Sequence, residues 1–394
     1  MRQLVTIKTI DTIAPIEGAD RIKLATIGGW PIVVAKNLHH EGDKVAYFEI
    51  DTFMPETNPL FAEYVARGVK KTKSPYTGEE VTGHVLRTVK LRGQYSQGTV
   101  MPLEILGLDE NATQEEINTW MENNGVFKWE APASFKAADI KGDFPSIVIG
   151  TNTPTPIQVR KTDSERVQNL TDEFLASLNP EDWYATEKLD GTSATFITTD
   201  WGQLRIASRN NELRWFTDEQ ITEAEKQYRA DTEAADKAQA EAEAAGDENF
   251  KRPKVAKRLT KGTFQKVAES IGLDKHMEPG QVIQGEIVGP GIQSNKLKLD
   301  RPELRIFHVE GVDPESEFYK EIIAPRLVPV LDFPFPTTVA EALAQVDGMK
   351  STINPKVLAE GVVWWNKNNE TFPELDDRAN FKAINNKFLL KNKE

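Results

Sequence analysis

The first 105 residues limit the fold most. Leu4–Ile10, Ile22–Ile27, Trp30–Val34 and Lys44–Ile50 are short runs rich in β-branched residues, separated by Gly, Asp and Pro clusters. Gly83–Lys90 and Gly98–Leu103 continue the series. Short strands at this spacing predict a small barrel or sandwich. Thr113 and Glu116 then make a capping box ahead of Ile117 and Trp120, which predicts a helix over 113–122. Pro132, Pro145, Pro154 and Pro156 mark 131–158 as a linker. The expected division is a β domain over 1–105, a helix and linker over 106–155, and a second domain over 156–394.

In the second domain, Trp183–Lys188 and Ala194–Thr198 read as strands on either side of the turn Leu189–Thr192. Strand signals resume at Gln281–Val288, Leu304–Val309, Gly361–Trp365 and Asn380–Ile384, after an amphipathic helix at Thr263–Gly272. Strands and helices mix without βαβ regularity, so the class is α+β. Glu223–Glu248 contains no Val, Ile, Leu, Phe or Met and is rich in Ala, Glu and Lys. It predicts a solvated helix with no apolar stripe, within an insertion over about 218–262. The basic residues Lys251, Arg252, Lys254, Lys257, Arg258 and Lys261 follow it.

Charge and composition remove several classes. Lys+Arg 48 against Asp+Glu 61 gives a net charge of −13, which argues against a general nucleic-acid coat but leaves room for a local basic groove. Cysteine is absent, so disulfides, thiolate metal sites and cysteine nucleophiles are excluded together. No apolar run approaches the roughly 18 residues of a membrane span, and the N-terminus lacks a signal-peptide core. A cytoplasmic protein is expected. The histidines, among them His39, His40, His84 and His276, lack metal-ligand spacing, and there is no P-loop.

The sharpest chemical feature is Glu187-Lys188-Leu189-Asp190-Gly191. A lysine at a strand end, ahead of Asp-Gly in a turn, is exposed yet held. It becomes a nucleophile when nearby cations or desolvation lower its pKa. Alone the pattern is weak, since a hairpin with a surface lysine looks the same. Other segments follow in order: Ser208-Arg209-Asn210, Gln284-Gly285-Glu286, Arg305-Ile306-Phe307-His308, Glu360-Gly361-Val362-Val363 and Phe381-Lys382-Ala383-Ile384-Asn385. With these motifs the chain resembles the covalent nucleotidyltransferases, the polynucleotide ligases and capping enzymes. Lys161 through Asn169, and Arg87 through Gly98, narrow the resemblance to ATP-dependent RNA ligases with an N-terminal OB-like domain.

That resemblance implies an N-terminal OB-like β-barrel followed by a nucleotidyltransferase domain of mixed antiparallel sheets and helices. It also implies an enzyme that joins RNA 3′-OH and 5′-phosphate ends through lysyl-AMP and adenylylated RNA, using ATP and Mg²⁺ or Mn²⁺. Lys188, Glu360 and Lys382 would be catalytic. Glu187, Arg209, Glu286, Phe307, Lys161 and Arg166 would join Lys188 and Lys382 around ATP, with Phe307 stacked on adenine. Glu360 and Glu286 would serve the metal. The partner is RNA, as a nicked duplex, and the expected state is a monomer.

The second lysine common two positions past the Lys382 equivalent is replaced by Ile384, and His308 stands where many relatives carry Asp. In the β domain, Lys70, Lys71, Lys73, Arg87, Lys90 and Arg92 form a basic zone beside Gln94 and Tyr95. Lys90, Arg92, Gln94 and Tyr95 are the RNA-binding candidates. Plainer readings remain at this stage. Phe307 can be core, Glu286 and Glu360 surface carboxylates, Lys161 and Arg166 a solvated linker face, and the barrel a packing partner only. A DNA ligase or a non-catalytic RNA- or tRNA-binding protein are the competing functions. A DNA ligase or capping enzyme usually carries a further domain after the last lysine motif. The segment Ile16 through Ile22 resembles tRNA-binding OB modules.

Overall fold

The computed structural model describes residues 3–129, 163–199, 202–209, 212–213, 215–247, 249–256, 258–375 and 378–392. The expected linker over 131–158, and Lys161, Asn210 and Lys257, lie outside these. The chain divides into two compact units. One comprises Met1–Pro132, Asp163–Leu189 and Pro329–Glu394; the other comprises Ala133–Thr162 and Asp190–Val328. Among the described residues, no helix is long and apolar enough to cross a membrane.

In the first unit, the N-terminal part is built on three antiparallel sheets of three or four strands. Lys44–Phe48 is the middle strand between Val5–Thr9 and Thr99–Pro102. Successive side chains of a strand point to opposite faces. Accordingly Val45 and Tyr47 enter one apolar cluster with Trp30 and Ile32, while Ala46 and Phe48 enter another with Met54 and Phe61. One short strand thereby seeds two cores. The helix Gln114–Asn123 begins at the expected capping box, with Thr113 and Glu116 bonded reciprocally, and buries Ile117 and Met121.

Two local expectations shift. The run 83–90 is two strands: Glu80–Val85 pairs with Thr52–Pro55, while Val89–Leu91 forms a separate hairpin with Gln94–Ser96. Arg92 and Gly93, both at positive φ, close that hairpin with a two-residue turn. Lys70–Lys73 is also a strand, exposed and paired with Glu80–Val85, which its charge had hidden.

The rest of the first unit is a five-stranded sheet. Its order is Glu165–Arg166, Asn380–Ile384, Gly361–Asn366, Trp183–Lys188 and Val330–Leu331. Trp364 stacks on Phe381 at 5.1 Å, with Trp183 tilted against Phe381 at 5.4 Å. The helix Val339–Val346 covers this face through Ala342 and Val346. The lysine strand is thus interior to its sheet, which fixes the level of its last residue.

The second unit has its own five-stranded antiparallel sheet, in the order Glu212–Leu213, Leu204–Ser208, Thr192–Thr198, Val282–Val288 and Glu303–Glu310. Phe196, Ile283, Ile287 and Ile306 fill its core with Val267 from the helix Thr263–Ser270. The charged insertion is a helix, Asp218–Ala244, in which Ala235 is buried. It begins earlier than the composition indicated, because Thr217 and Gln220 form a capping box. The returning chain runs back along it through the ion pairs Arg252–Asp236 at 2.7 Å, Arg258–Glu225, and Lys261–Asp218 at 2.6 Å. Three cations of the basic cluster are therefore spent on the insertion itself.

Candidate active site

Lys188 is the last residue of its strand and lies in register with Gly361, the first residue of the next. A side chain at 361 is sterically excluded, because a Cβ there would stand 2.1 Å from the Ala383 carbonyl oxygen. The glycine lets three strands close up where the chemistry-bearing residues emerge. Lys188 Nζ donates to Glu360 Oε1 at 2.7 Å, with the two side chains 24% and 14% exposed. Glu360 Oε2 is buried and has no hydrogen-bond partner among the described residues.

The rung two residues down joins Thr186, Val363, Lys382 and Arg166 across four strands. Paired residues share a face, and so do residues two apart on one strand, so Lys188, Lys382 and Arg166 project to one side of the sheet. Burial lowers the Lys382 ammonium from 10.5 to about 7; Lys188 and Arg166 push the same way, while Asp163 and Glu360 oppose them. The Arg166 guanidinium lies 5.2 Å from the Trp30 ring centroid. Glu187 falls on the alternate face. Its Oε2 accepts from the Thr352 amide at 2.8 Å and hydroxyl at 2.5 Å, and its buried Oε1 has no partner among the described residues. Thr352 carried no motif, so sequence reading passed over it.

In the second unit, Gly191 answers the same steric question: a Cβ would lie 2.4 Å from the Ile287 carbonyl oxygen and 2.8 Å from Glu286 Cγ. Glu286 is half-buried and sits across from Ser193 and Arg305. Asp190 pairs with Lys296 at 2.9 Å, both side chains largely buried. Sequence reading missed this lysine. It lies beside three successive residues at positive φ, Gln293, Ser294 and Asn295, a backbone that non-glycine residues rarely adopt. Phe307 is half-buried at a β-bulge: Gln284 pairs with His308 and Gly285 with Ile306, leaving Phe307 as the extra residue. Bulges re-aim side chains, which sets Phe307 apart from an ordinary core position. Arg209 is exposed just past the strand Leu204–Ser208.

Of the RNA-binding candidates, Arg92 is exposed at the hairpin turn and Gln94 half-buried beside it. Lys90 Nζ donates to the Leu390 carbonyl at 3.2 Å, and the Tyr95 hydroxyl donates to the Leu389 carbonyl. Both are thereby engaged with the C-terminal helix Asn386–Lys391.

Among the described residues, no group of three or more His, Cys, Asp or Glu side chains could enclose a metal ion. Mg²⁺ or Mn²⁺ needs no such group, being held by one or two carboxylates together with water and phosphate oxygens. Glu360 Oε2, without a partner among the described residues, is an oxygen ligand of the required kind.

A family model described as RNA ligase matches residues 181–384, and one described as an OB-fold domain matches residues 4–103. Among solved structures, the chain resembles Naegleria gruberi RNA ligase with PPi, at 27% identity and a TM-score of 0.64, covering 100% of this chain and 99% of that one. A glutamate-to-alanine mutant of that ligase with AMP and Mn is similar at 27% identity, TM-score 0.63 and the same coverage. A lysine-to-alanine mutant with ATP and Mn is similar at 28% identity and TM-score 0.60, over 99% of each chain. A search of curated proteins gives no match.

Proposed function

The chain belongs to the RNA ligase family, and from that premise we propose that it is an ATP-dependent ligase joining RNA 3′-OH and 5′-phosphate ends at nicks in a duplex, acting as a cytoplasmic monomer. The observation that carries the reading is the Lys188–Glu360 pair at the strand ends, with Lys382 and Arg166 on the same face.

Lys188 Nζ attacks the α-phosphate of ATP; an N–P bond forms and pyrophosphate leaves. The ammonium must first lose a proton, and Glu360 Oε1 at 2.7 Å is a base within reach. Lys382 and Arg166 supply positive charge where the phosphate oxygens gather. Lys161 is assigned to the same nucleotide by the family resemblance. The RNA 5′-phosphate then displaces Lys188 from AMP, giving adenylylated RNA. Attack by the 3′-OH forms the phosphodiester and releases AMP.

Glu360, together with Glu286, is proposed to hold the divalent metal, which when bound supplies charge that offsets the phosphates. Glu286 and Arg209 are assigned to the nucleotide sugar and phosphate side, Phe307 to the adenine ring, and Glu187 to the adenine amine through its remaining oxygen. Arg92 and Gln94 are the hairpin groups left to meet RNA.

Intact mass before and after incubation with ATP and Mg²⁺ tests the reading. The wild-type chain should gain one AMP, and Lys188→Ala should gain none while remaining folded, since a strand-end lysine contributes little to packing. The alanine variant should still seal RNA supplied already adenylylated. An adduct on Lys188→Ala, or none on the wild type, overturns the assignment.

A further inference from the structure

We propose that the hairpin Val89–Leu91/Gln94–Ser96 is a clamp on the C-terminal helix, and that Tyr95 and Lys90 are positioning residues for the strand that carries Lys382. The proposal rests on the ligase reading above.

The argument starts from the helix end. The last carbonyls of any helix have no partner within it. In Asn386–Lys391 the Leu389 and Leu390 carbonyls are taken by the Tyr95 hydroxyl and the Lys90 ammonium, roughly 300 residues away in sequence. A cation at a helix C-terminus is also favoured by the helix dipole. Tyr95 packs in addition against the cluster of Ile384, Phe388 and Leu389.

The hairpin is anchored behind these contacts. A two-stranded hairpin is at best marginally stable alone. Here its base is fixed: Ser96 Oγ accepts from the Val33 amide at 3.0 Å, the Gln97 amide donates to the Pro31 carbonyl at 2.9 Å, and the Tyr47 hydroxyl donates to the Gln97 carbonyl at 2.9 Å. Force applied at the helix is therefore borne by the N-terminal barrel.

The other end of the helix reaches the chemistry. Asn385 is fully buried and caps the first turn through Oδ1, accepting from the Lys387 amide at 3.1 Å and the Phe388 amide at 3.4 Å. Its own amide donates to the Glu360 carbonyl at 2.8 Å, and its Nδ2 donates to the Ala359 carbonyl at 3.0 Å and the Met349 carbonyl at 3.2 Å. Asn385 also lies three residues past Lys382, directly after its strand. The helix thus joins the barrel hairpin at one end to the Glu360 backbone and the Lys382 strand at the other. A residue that grips the helix sets where those two groups stand, without touching substrate.

The test uses Tyr95→Phe, which keeps the ring and deletes the hydroxyl, Lys90→Met, and the double variant in the full chain. Lysyl-AMP formation is followed in single turnover without RNA. At saturating ATP the double variant should form the adduct about tenfold more slowly, with the ATP concentration for half-maximal rate unchanged, as expected for loss of two hydrogen bonds. Amide exchange in 386–391 should rise. Three results overturn the clamp: unchanged adduct formation with weakened nick binding, which makes the hairpin an RNA contact only; a lower melting temperature with an unchanged rate per folded molecule; or wild-type rates throughout. A wild-type chain that forms no adduct defeats the ligase reading instead, so the two failures are distinguishable.

Discussion

Replacing Lys382 by methionine should stabilise the protein in acid and not in alkali. Methionine matches the aliphatic stem and removes only the ammonium. In the folded chain the group titrates at about 7, against an ordinary value of 10.5. Below pH 7 the lysine is protonated folded or unfolded, and the native state bears the full cost of a crowded cation. Between pH 7 and 10.5 the unfolded state binds more protons, so wild-type stability rises with pH across that window. The full displacement corresponds to about 5 kcal/mol as an upper bound. Lys382 keeps some contact with solvent, which brings the expected gain to about 3 kcal/mol. Urea unfolding of both proteins at pH 6 and pH 9.5 reads the difference, with other titrating groups cancelling between them. The gain should be near its maximum at pH 6 and mostly gone at pH 9.5. An equal difference at both values would refute the reasoning, because the lysine would then not titrate where burial and its cationic neighbours place it. Self-adenylylation by the variant should be lost at every pH.

Two further outcomes are expected. Deleting Thr222–Asn249 removes the acidic partners of Arg252 and Arg258, exposed pairs that solvent screens and that contribute little, so adduct formation and sealing should stay near wild type; a large loss in a folded variant would give the helix a role. Nicks differing only in the sugar of the 3′-OH nucleotide should separate, with ribose joined much faster than deoxyribose because A-like geometry and the 2′-OH are read near the break; equal rates would return DNA sealing to consideration.

Much of the arrangement was legible because the motifs are steric statements as well as chemical ones. Lys188-Leu189-Asp190-Gly191 and Glu360-Gly361 each carry a glycine that only a hydrogen atom can replace in space, at 2.4 Å and 2.1 Å from a carbonyl oxygen. Such positions are readable from sequence because nothing else fits them. Lys296 and Thr352 were not readable. Their partners, Asp190 and Glu187, lie more than a hundred residues away, and neither carries a local pattern. Lys90 and Tyr95 looked like RNA contacts because a basic residue near an aromatic on a barrel hairpin has that look. Only the fold shows them occupied by the end of the chain. Lys70–Lys73 escaped for the opposite reason, since an exposed edge strand needs no apolar alternation.

The discontinuity of the first unit has a consequence during synthesis. Translation delivers roughly 5–20 residues per second, and Glu360 emerges 172 positions after Lys188. For roughly 10–30 s the strand Trp183–Lys188 has neither Gly361–Asn366 nor Val330–Leu331 to pair with. The strands of Asp190–Val328 come off the ribosome in one stretch, so all of that sheet's partners are available before Gly361–Asn366 is made. A chain cut short before residue 360 would carry Lys188 without its Glu360 partner; on the mechanism proposed above, such a product would be inert rather than half-active.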